Sequence, residues 1–562
     1  MDDFILVKDE FYIRATSAMA DDRTRVLKHG ETFAVFDRYG DIQPLGMGEQ
    51  GIYREGTRFL SRLLLSLSNT RPLLLSSTVK EDNAVLAVDL TNPDIYVDGR
   101  VMIPHGTIHI SRMKFLWQEA CYEQFRILNY GLSPIRVSLT LQFDADFADV
   151  FEVRGAKRER KGDRLEDQVK ENGVLLNYCG LDGVVRQTRL EFSPKPERIS
   201  RSEAIFDELL QPKEEKVLSA AVLCGLDDSL PPCLSYESAM KEAEEVLRVS
   251  KAQDCEIYTS NEQFNDWLNR SLADLHMMIT DTPKGPYPYA GVPWFSTAFG
   301  RDGIIAAMEL LWVNHEVARG VLAYLAHTQA SESNSAQDAE PGKVLHETRK
   351  GEMARLGEIP FGSYYGSVDA TPLFVVLAGA YYERTGDRPF IEELWPHVEL
   401  ALQWIDHHGD VDGDGFVEYL RHSPKGLVNQ GWKDSWDAVF HADGSLAEGP
   451  IALCEVQAYV YAAKRAAAGL ARALGEHKRA DELLRQAESL QKRFEHAFWC
   501  EGLSTYALAL DGRKRPCEVR TSNAGHCLFT GIASQEHARR VAETLLGERH
   551  FSGWGIQTVA SS

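Results

Sequence analysis

Near residue 230 the spacing of apolar residues changes from every second position to the three-and-four spacing of helices. This one switch divides the chain into two parts of different class. Before it, Ile135, Val137, Leu139, Leu141 and Phe143 alternate with Arg136, Ser138, Thr140 and Gln142, the pattern of a half-buried strand. Short apolar runs at Thr32 to Phe36, Val85 to Val88 and Lys216 to Leu223 are punctuated by turn sequences such as Tyr39-Gly40-Asp41 and Asn129-Tyr130-Gly131. Strands with no helices between them predict an N-terminal antiparallel β-sandwich over residues 1–230.

After the switch, the charged amphipathic segment SYESAMKEAEEVLRV predicts a linker helix within 231–260. Helical spacing then recurs near 261–280, 301–312, 314–328, 369–386, 388–408, 450–474, 476–498, 521–531 and 534–547, so 261–562 is expected to form a helical domain. The connections 281–300, 329–368 and 409–449 are long and rich in glycine, proline and aromatic residues. Loops of that length are uncommon in a compact helical domain unless they carry function, so the chemistry is expected there.

Several function classes drop out early. A net charge of −22 disfavours nucleic acid and anionic membrane as partners, since both need a basic surface. The one basic cluster, Arg154, Lys157, Arg158, Arg160, Lys161 and Arg164, reads as a solvated loop. Nine cysteines without a CxxC spacing read as reduced thiols. The N-terminal MDDFILVKDEFYIRATSAMADD has acids where a signal peptide needs positive charge, and no run of ~20 apolar residues exists to span a bilayer. A soluble, cytoplasmic protein is expected. Gly46, Gly48 and Gly51 match GxGxxG but sit among strands, so they read as a hairpin loop and not a dinucleotide site. There is no phosphate loop, zinc helix or serine elbow, which removes most of the support for phosphoryl transfer and serine hydrolysis.

The loops hold the candidate site. GPYPYAGVPWFSTAFGRDG places Trp294 and Phe295 in a Pro/Gly frame that opens into a helix at Arg301 and Asp302. Aromatic faces stack on sugar rings, and a carboxylate beside a guanidinium can hydrogen-bond vicinal hydroxyls. The same composition also suits a structural loop, with Asp302 merely favouring a helix start. In NQGWKDSWDAVFHADG, Asp434 and Asp437 stand beside Trp432 and Trp436. A carboxyl walled by indoles is desolvated and can stay protonated as a general acid; as surface acids the two would do nothing of the kind. Tyr364, Tyr365 and Asp369 lie at a loop-to-helix junction, where for the tyrosines sugar contact and packing against the loop both fit; Glu455 and Gln457 follow on a later helix, where Glu455 reads by default as a solvated surface acid and otherwise as a sugar contact. Asp410, Asp412 and Asp414 followed by Gly415 copy the start of a calcium loop, but position twelve is Arg421 and not the bidentate Glu of an EF-hand. An Asp/Gly-rich turn is the preferred account, with a calcium site closed by other ligands as the alternative.

Taken together, GVPWFSTAFGRDG, HETRKGEM, GSYYGSVDATPLF, DGDGFVEY, NQGWKDSWDA, SNAGH and SGWGIQT resemble the bacterial amylo-α-1,6-glucosidase family, glycogen-debranching enzymes with an (α/α)6 catalytic barrel. Gly56-Thr57-Arg58-Phe59-Leu60-Ser61-Arg62 and AVDLTNPDI resemble the N-terminal domain of the same proteins. The resemblance implies inverting release of glucose from an α-glucan or glucosylated oligosaccharide, with no cofactor required. It puts the glucose-holding pair on Arg301 and Asp302, the general acid on Asp434 with Asp437 second, and Trp432 and Lys433 in the subsite wall. A second carboxylate ~6.5 to 9.5 Å away would activate water. Position 56 is Gly where relatives carry Asp, and the family continues past SGWGIQT. The barrel is therefore expected to be incomplete at its C-terminus and to lack its base. Other readings are a glucoamylase- or trehalase-like α-glucosidase, or a carbohydrate-binding protein without catalysis.

Overall fold

A computed structural model describes residues 24–43, 48–80, 83–227, 229–252 and 254–561, together with the backbone of strands Phe4–Val7 and Glu10–Ile13. Most of the N-terminal sequence, and Gly46 of the glycine pattern, lie outside the described residues. The chain forms two compact units. One comprises Met1–Thr280 with Gly291–Thr297 and Lys350–Glu358; the other comprises Asp281–Ala290, Ala298–Arg349 and Ile359–Ser562.

The first unit is antiparallel throughout its main sheets. In the largest, Gly173–Cys179, Val185–Ser193, Glu215–Leu226, Ala120–Asn129, Ile108–Trp117, Leu86–Thr91 and Leu73–Val79 lie side by side in that order. Ile135–Asp144 pairs with Glu203–Leu210 on one edge and Arg62–Leu67 on the other. Its period of two has the expected result: Val137, Leu139, Leu141 and Phe143 are buried in one core with Phe125, Phe192, Phe206 and Val222. The rings of Phe143 and Phe192 meet at 6.0 Å across the two sheets. At Gly40 the chain turns with φ +74°, a conformation natural to glycine, and a Cβ there would press on the Lys114 side chain at 3.1 Å.

Two expectations meet a different arrangement. Within 231–260, helix Tyr236–Lys251 is capped by Ser235 and is docked on the sheet, with Ala239 buried against a cluster containing Phe115, Trp117 and Tyr122. Apolar spacing recovered the helix, but not that its apolar face already had a partner. The second case is Arg158, which is not solvated. Its side chain is buried and bonded to Glu352 at 3.0 Å and Glu358 at 2.7 Å, with Glu152 at 3.4 Å. Acids some 200 positions away along the chain draw one arginine inward while Arg154, Lys157 and Arg160 stay exposed.

The second unit is built from helical hairpins: Gly300–Leu310 with His315–His327, Ala370–Thr385 with Arg388–His407, and Cys454–Leu474 with His477–Phe498. A fourth joins the turn Ser522–Gly525 and short helix His526–Thr530 to Gln535–Leu545. Each helical stretch expected after residue 261 has a counterpart here or, for Glu262–Met278, in the first unit. The layers follow from composition. Ala370–Thr385 buries Leu373, Phe374, Val375, Leu377, Ala378 and Tyr381 and so lies inside, whereas His477–Phe498 buries one stripe, Ala480, Leu483, Ala487, Leu490 and Phe494, and lies outside. This is the inner and outer layering of an (α/α) barrel. Among the described residues, no helix is long and apolar enough to cross a membrane.

Candidate active site

The start of helix Gly300–Leu310 is fixed by close approach. A Cβ at Gly300 would fall 1.9 Å from the Leu345 carbonyl oxygen, and one at Gly303 2.5 Å from the Tyr287 hydroxyl, which itself donates to the Phe299 carbonyl at 2.7 Å. The two glycines thus let the helix seat against its neighbours, and Arg301 and Asp302 are presented from its first turn. Arg301 reaches Asp369 at 3.1 and 3.4 Å and Asp434 at 3.9 Å. Asp369 is wholly buried and also accepts from Ser367 Oγ at 2.5 Å. Asp302 opens to solvent but is ringed by protein; this desolvation, with Asp369 and Asp434 nearby, raises its pKa against the opposing charge of Arg301.

Glu455 lies in the first turn of Cys454–Leu474 and is buried. It accepts from Asn523 Nδ2 at 2.9 Å and faces the Cys454 thiol at 3.5 Å. Burial, reinforced by the charge of Asp369, pushes its pKa up to about 7. Beside it, a Cβ at Gly431 would meet Leu453 at 2.4 Å and Glu455 Oε1 at 3.8 Å, so Gly431 lets the 429–435 loop pass close over the helix start. Trp432 and His526 hold their rings 5.6 Å apart, and His526 Nδ1 pairs with the Tyr459 hydroxyl at 2.8 Å. Burial and the neighbouring Lys433 lower the His526 pKa and favour a neutral ring. Lys433 lies over the Trp432 ring, donates to the Thr558 carbonyl at 2.8 Å and is itself pushed down by burial. Trp432 Nε1, Gln430 Oε1 and Asn523 Oδ1 are buried with no hydrogen-bond partner among the described residues. Buried polar atoms seldom stay unpaired, so these three are suited to ligand hydroxyls.

Several residues singled out from sequence have other tasks. The Tyr364 hydroxyl donates to Asp338 at 2.8 Å and accepts from Leu427 N–H, and the Tyr365 hydroxyl donates to the Thr328 carbonyl at 2.7 Å. Gln457 spends its amide on Val417, accepting from N–H at 2.8 Å and donating to the carbonyl at 2.7 Å. These bonds tie the three side chains into the packing around the site. Trp294 and Phe295 fall in Gly291–Thr297 of the first unit, where Phe295 stacks under Arg154 at 5.5 Å. The indole wall expected around Asp434 is not there: its side chain is 45% exposed, and Asp437 and Trp436 are exposed as well. The strongly desolvated carboxyl is Glu455 instead. Asn523, His526, Tyr459 and Gln430 were not singled out, although SNAGH already carried the first two. Asp412 and Asp414 are bonded by Lys514 at 2.9 and 2.8 Å, and the same ammonium bonds Glu418.

Residues 27–221 match the family described as the N-terminal domain of (some) glycogen debranching enzymes, and residues 298–562 match the mannosylglycerate hydrolase MGH1-like glycoside hydrolase domain. The chain thus carries a debranching-type N-terminal domain and a glycoside hydrolase-type domain, each matched by its own family model. Two solved structures share its fold. A bacterial glucoamylase complexed with acarbose aligns at TM-score 0.54 and 11% identity, over 94% of this chain and 78% of its own. A protein assigned as kojibiose phosphorylase, from human microbiome, aligns at TM-score 0.52 and 10% identity, over 86% and 69%. Comparison with curated protein sequences finds no match.

Proposed function

We propose that this glycoside hydrolase releases glucose from α-glucosidic linkages of a glucan or oligosaccharide, in the manner of an amylo-α-1,6-glucosidase and with inversion at the anomeric carbon. The observation that carries the reading is the placement of Arg301 between fully buried Asp369 and half-exposed Asp434. Asp369 fixes the guanidinium, which leaves the adjacent Asp302 and the outer edge of Arg301 to grip sugar hydroxyls. Asp434 is the general acid: its open face receives the leaving sugar, and it passes a proton to the glycosidic oxygen. Inversion further requires that water attack the anomeric carbon from the opposite face and pass its proton to a second carboxylate, a role to which none of the carboxylates named above is assigned. Glu455, Asn523 and Trp432 Nε1 contact the bound glucose, and Trp432 gives it an apolar wall. The nine cysteines are all unpaired, which supports a reducing compartment, and we place the protein in the cytoplasm.

The test is a release assay with glycogen, maltooligosaccharides, isomaltose and trehalose. Glucose from an α-1,6-branched substrate, lost in Asp434→Asn, supports the reading; release from trehalose or from α-1,4 chains alone reassigns the linkage. Sugar binding without turnover makes the protein a lectin-like binder.

A further inference from the structure

We propose that the loop Asp410–Glu418 is a calcium site whose ligands are Asp410, Asp412 and Glu418. The sequence shows DVDGDGFVE, with carboxylates at positions one, three, five and nine. A search for a calcium loop that looks only at position twelve finds Arg421 and stops. The fold instead turns the chain at Gly413, φ +79°, and Gly415, φ +86°, and brings position nine back to position one. One oxygen from each of Asp410, Asp412 and Glu418 lies within 4.8 Å of the other two. Oxygens coordinating one ion at ~2.3 to 2.6 Å stand no farther apart than about twice that distance, so a single calcium-sized ion can reach all three.

An acidic cluster alone is no argument, but two of these oxygens have no partner. Asp410 Oδ2 accepts from Gly415 N–H at 3.0 Å, whereas Asp410 Oδ1 is buried and unpaired among the described residues. Glu418 is 2% exposed; Lys514 engages its Oε1, and its Oε2 is buried and unpaired. A buried carboxylate oxygen with no donor is costly, and a cation is the partner that removes that cost for both at once. Charge points the same way. Four carboxylates, Asp410, Asp412, Asp414 and Glu418, face Lys514 and Arg493, the latter donating to the Asp414 carbonyl at 3.0 Å. Two cations against four acids leave a deficit that one divalent ion closes. The donors are all oxygen, which suits calcium over transition metals, and a nine-residue loop with two glycines suits calcium over magnesium with its rigid octahedron. Access exists as well, because Asp410, Gly415 and Val417 line a cavity of about 760 Å³ between helices Arg388–His407, Cys454–Leu474 and His477–Phe498.

The ion would stiffen a segment wired to the candidate active site at two points. Val417 is clamped by Gln457, two residues beyond Glu455, and Tyr419 donates to Asn429 Oδ1 at 2.6 Å while Asn429 Nδ2 donates to the Ser435 carbonyl at 2.7 Å, next to Asp434. Binding, not turnover, is the readout, so the result stands whatever the glycosidase reaction proves to be. The full chain is stripped with EDTA and titrated with CaCl2 and, separately, MgCl2 by calorimetry, with thermal melts alongside. One calcium bound per chain, a melting point raised by several degrees, and at least about tenfold weaker uptake in Asp412→Asn and Glu418→Gln are expected. If buried Glu418→Gln fails to fold, exposed Asp412→Asn decides. No uptake at millimolar calcium, uptake unchanged in the variants, or an equal response to magnesium overturns the assignment.

Discussion

The two units each bury a cluster of opposite charges, and the clusters differ in what they leave undone. In the first unit, Arg112 and Lys114 are completely buried, and Arg112 bonds Glu123 at 2.8 Å, Asp41 at 2.7 Å and the Tyr39 carbonyl at 2.7 Å. Lys114 takes the other Glu123 oxygen at 2.5 Å, and the two cations lie over Phe125 and Phe36. Burial lowers the pKa of Lys114 and raises that of Asp41, as it raises that of Glu455 in the second unit, yet every one of these groups has a partner and none opens to water. In the second unit, Arg301 and Asp369 repeat the buried pair, but Asp434 is half-exposed, Glu455 holds a carboxyl with pKa about 7, and neighbouring amide and indole atoms lack partners. A perturbed pKa therefore does not mark function by itself; burial combined with unmet hydrogen bonds and an open side does.

That comparison is most exposed to a substitution that separates chemistry from stability. Asp434→Asn is expected to lower glucose release by roughly 10²- to 10⁴-fold, since an amide cannot protonate the leaving oxygen. Its half-exposed position keeps the stability change within about 0.5 kcal/mol. Near-normal turnover in Asp434→Asn with loss in Asp437→Asn would move the acid by one turn of the loop. The opposite profile is expected for Glu123→Ala, which strands two buried cations and costs roughly 3 to 5 kcal/mol in urea unfolding. A Glu123→Ala chain as stable as the parent would show that the sandwich cluster is not the satisfied unit described above.

The layout of both units was legible in the sequence because local periodicity reports which face of an element is buried. Val137, Leu139, Leu141 and Phe143 announce a strand, and the stripe from Ala480 to Phe494 announces an outer helix. Arg301, Asp302 and Trp432 stand out in the sequence as candidate site residues because their motifs keep chemistry and glycine geometry together in a few positions. What stayed hidden depends on partners far along the chain. Gln457 reads as a sugar ligand until Val417, 40 residues earlier, is seen to occupy its amide. Arg158 reads as solvent-facing until Glu352 and Glu358 arrive, and Glu455 reads as a surface acid until Asn523 and the 429–435 loop cover it. The surroundings of Asp434 are hidden for the same reason: tryptophans adjacent in sequence need not be walls in space, and Trp436 points to solvent, 68% exposed.

Glu455 offers a sharper version of the comparison, because its charge is linked to folding. A carboxyl raised from 4.5 to about 7 contributes stability that is fully present below pH 4.5 and is lost as pH rises through about 7, a swing of about 3 kcal/mol. Glu455→Gln has no proton to lose. Its stability relative to the parent should therefore grow by about 3 kcal/mol between roughly pH 4 and pH 8 in paired urea titrations. A constant difference across that range would mean that Glu455 titrates as an ordinary surface acid, and the contrast with the sandwich cluster would rest on Asp434 alone.

The smallest expected effect falls on Asp302, which stands at the open side of the cluster and has Arg301 beside it. If the pair grips sugar hydroxyls, Asp302→Ala removes a charge-assisted hydrogen bond worth about 1.5 to 3 kcal/mol, weakening glucose binding roughly 10- to 100-fold in calorimetry. Because the side chain is solvent-open, the fold should barely change, and Arg301 keeps its anchor on Asp369 at 3.1 Å. A second measurement guards against a trivial result: the loss should be equally large for a neutral sugar and for a cationic sugar mimic if it comes from hydrogen bonding, and larger for the cation if it comes from the field of the carboxylate. Unchanged affinity for both ligands would remove Asp302 from the binding surface and leave it as a helix-start carboxylate, the same kind of structural acid as Asp41 in the sandwich.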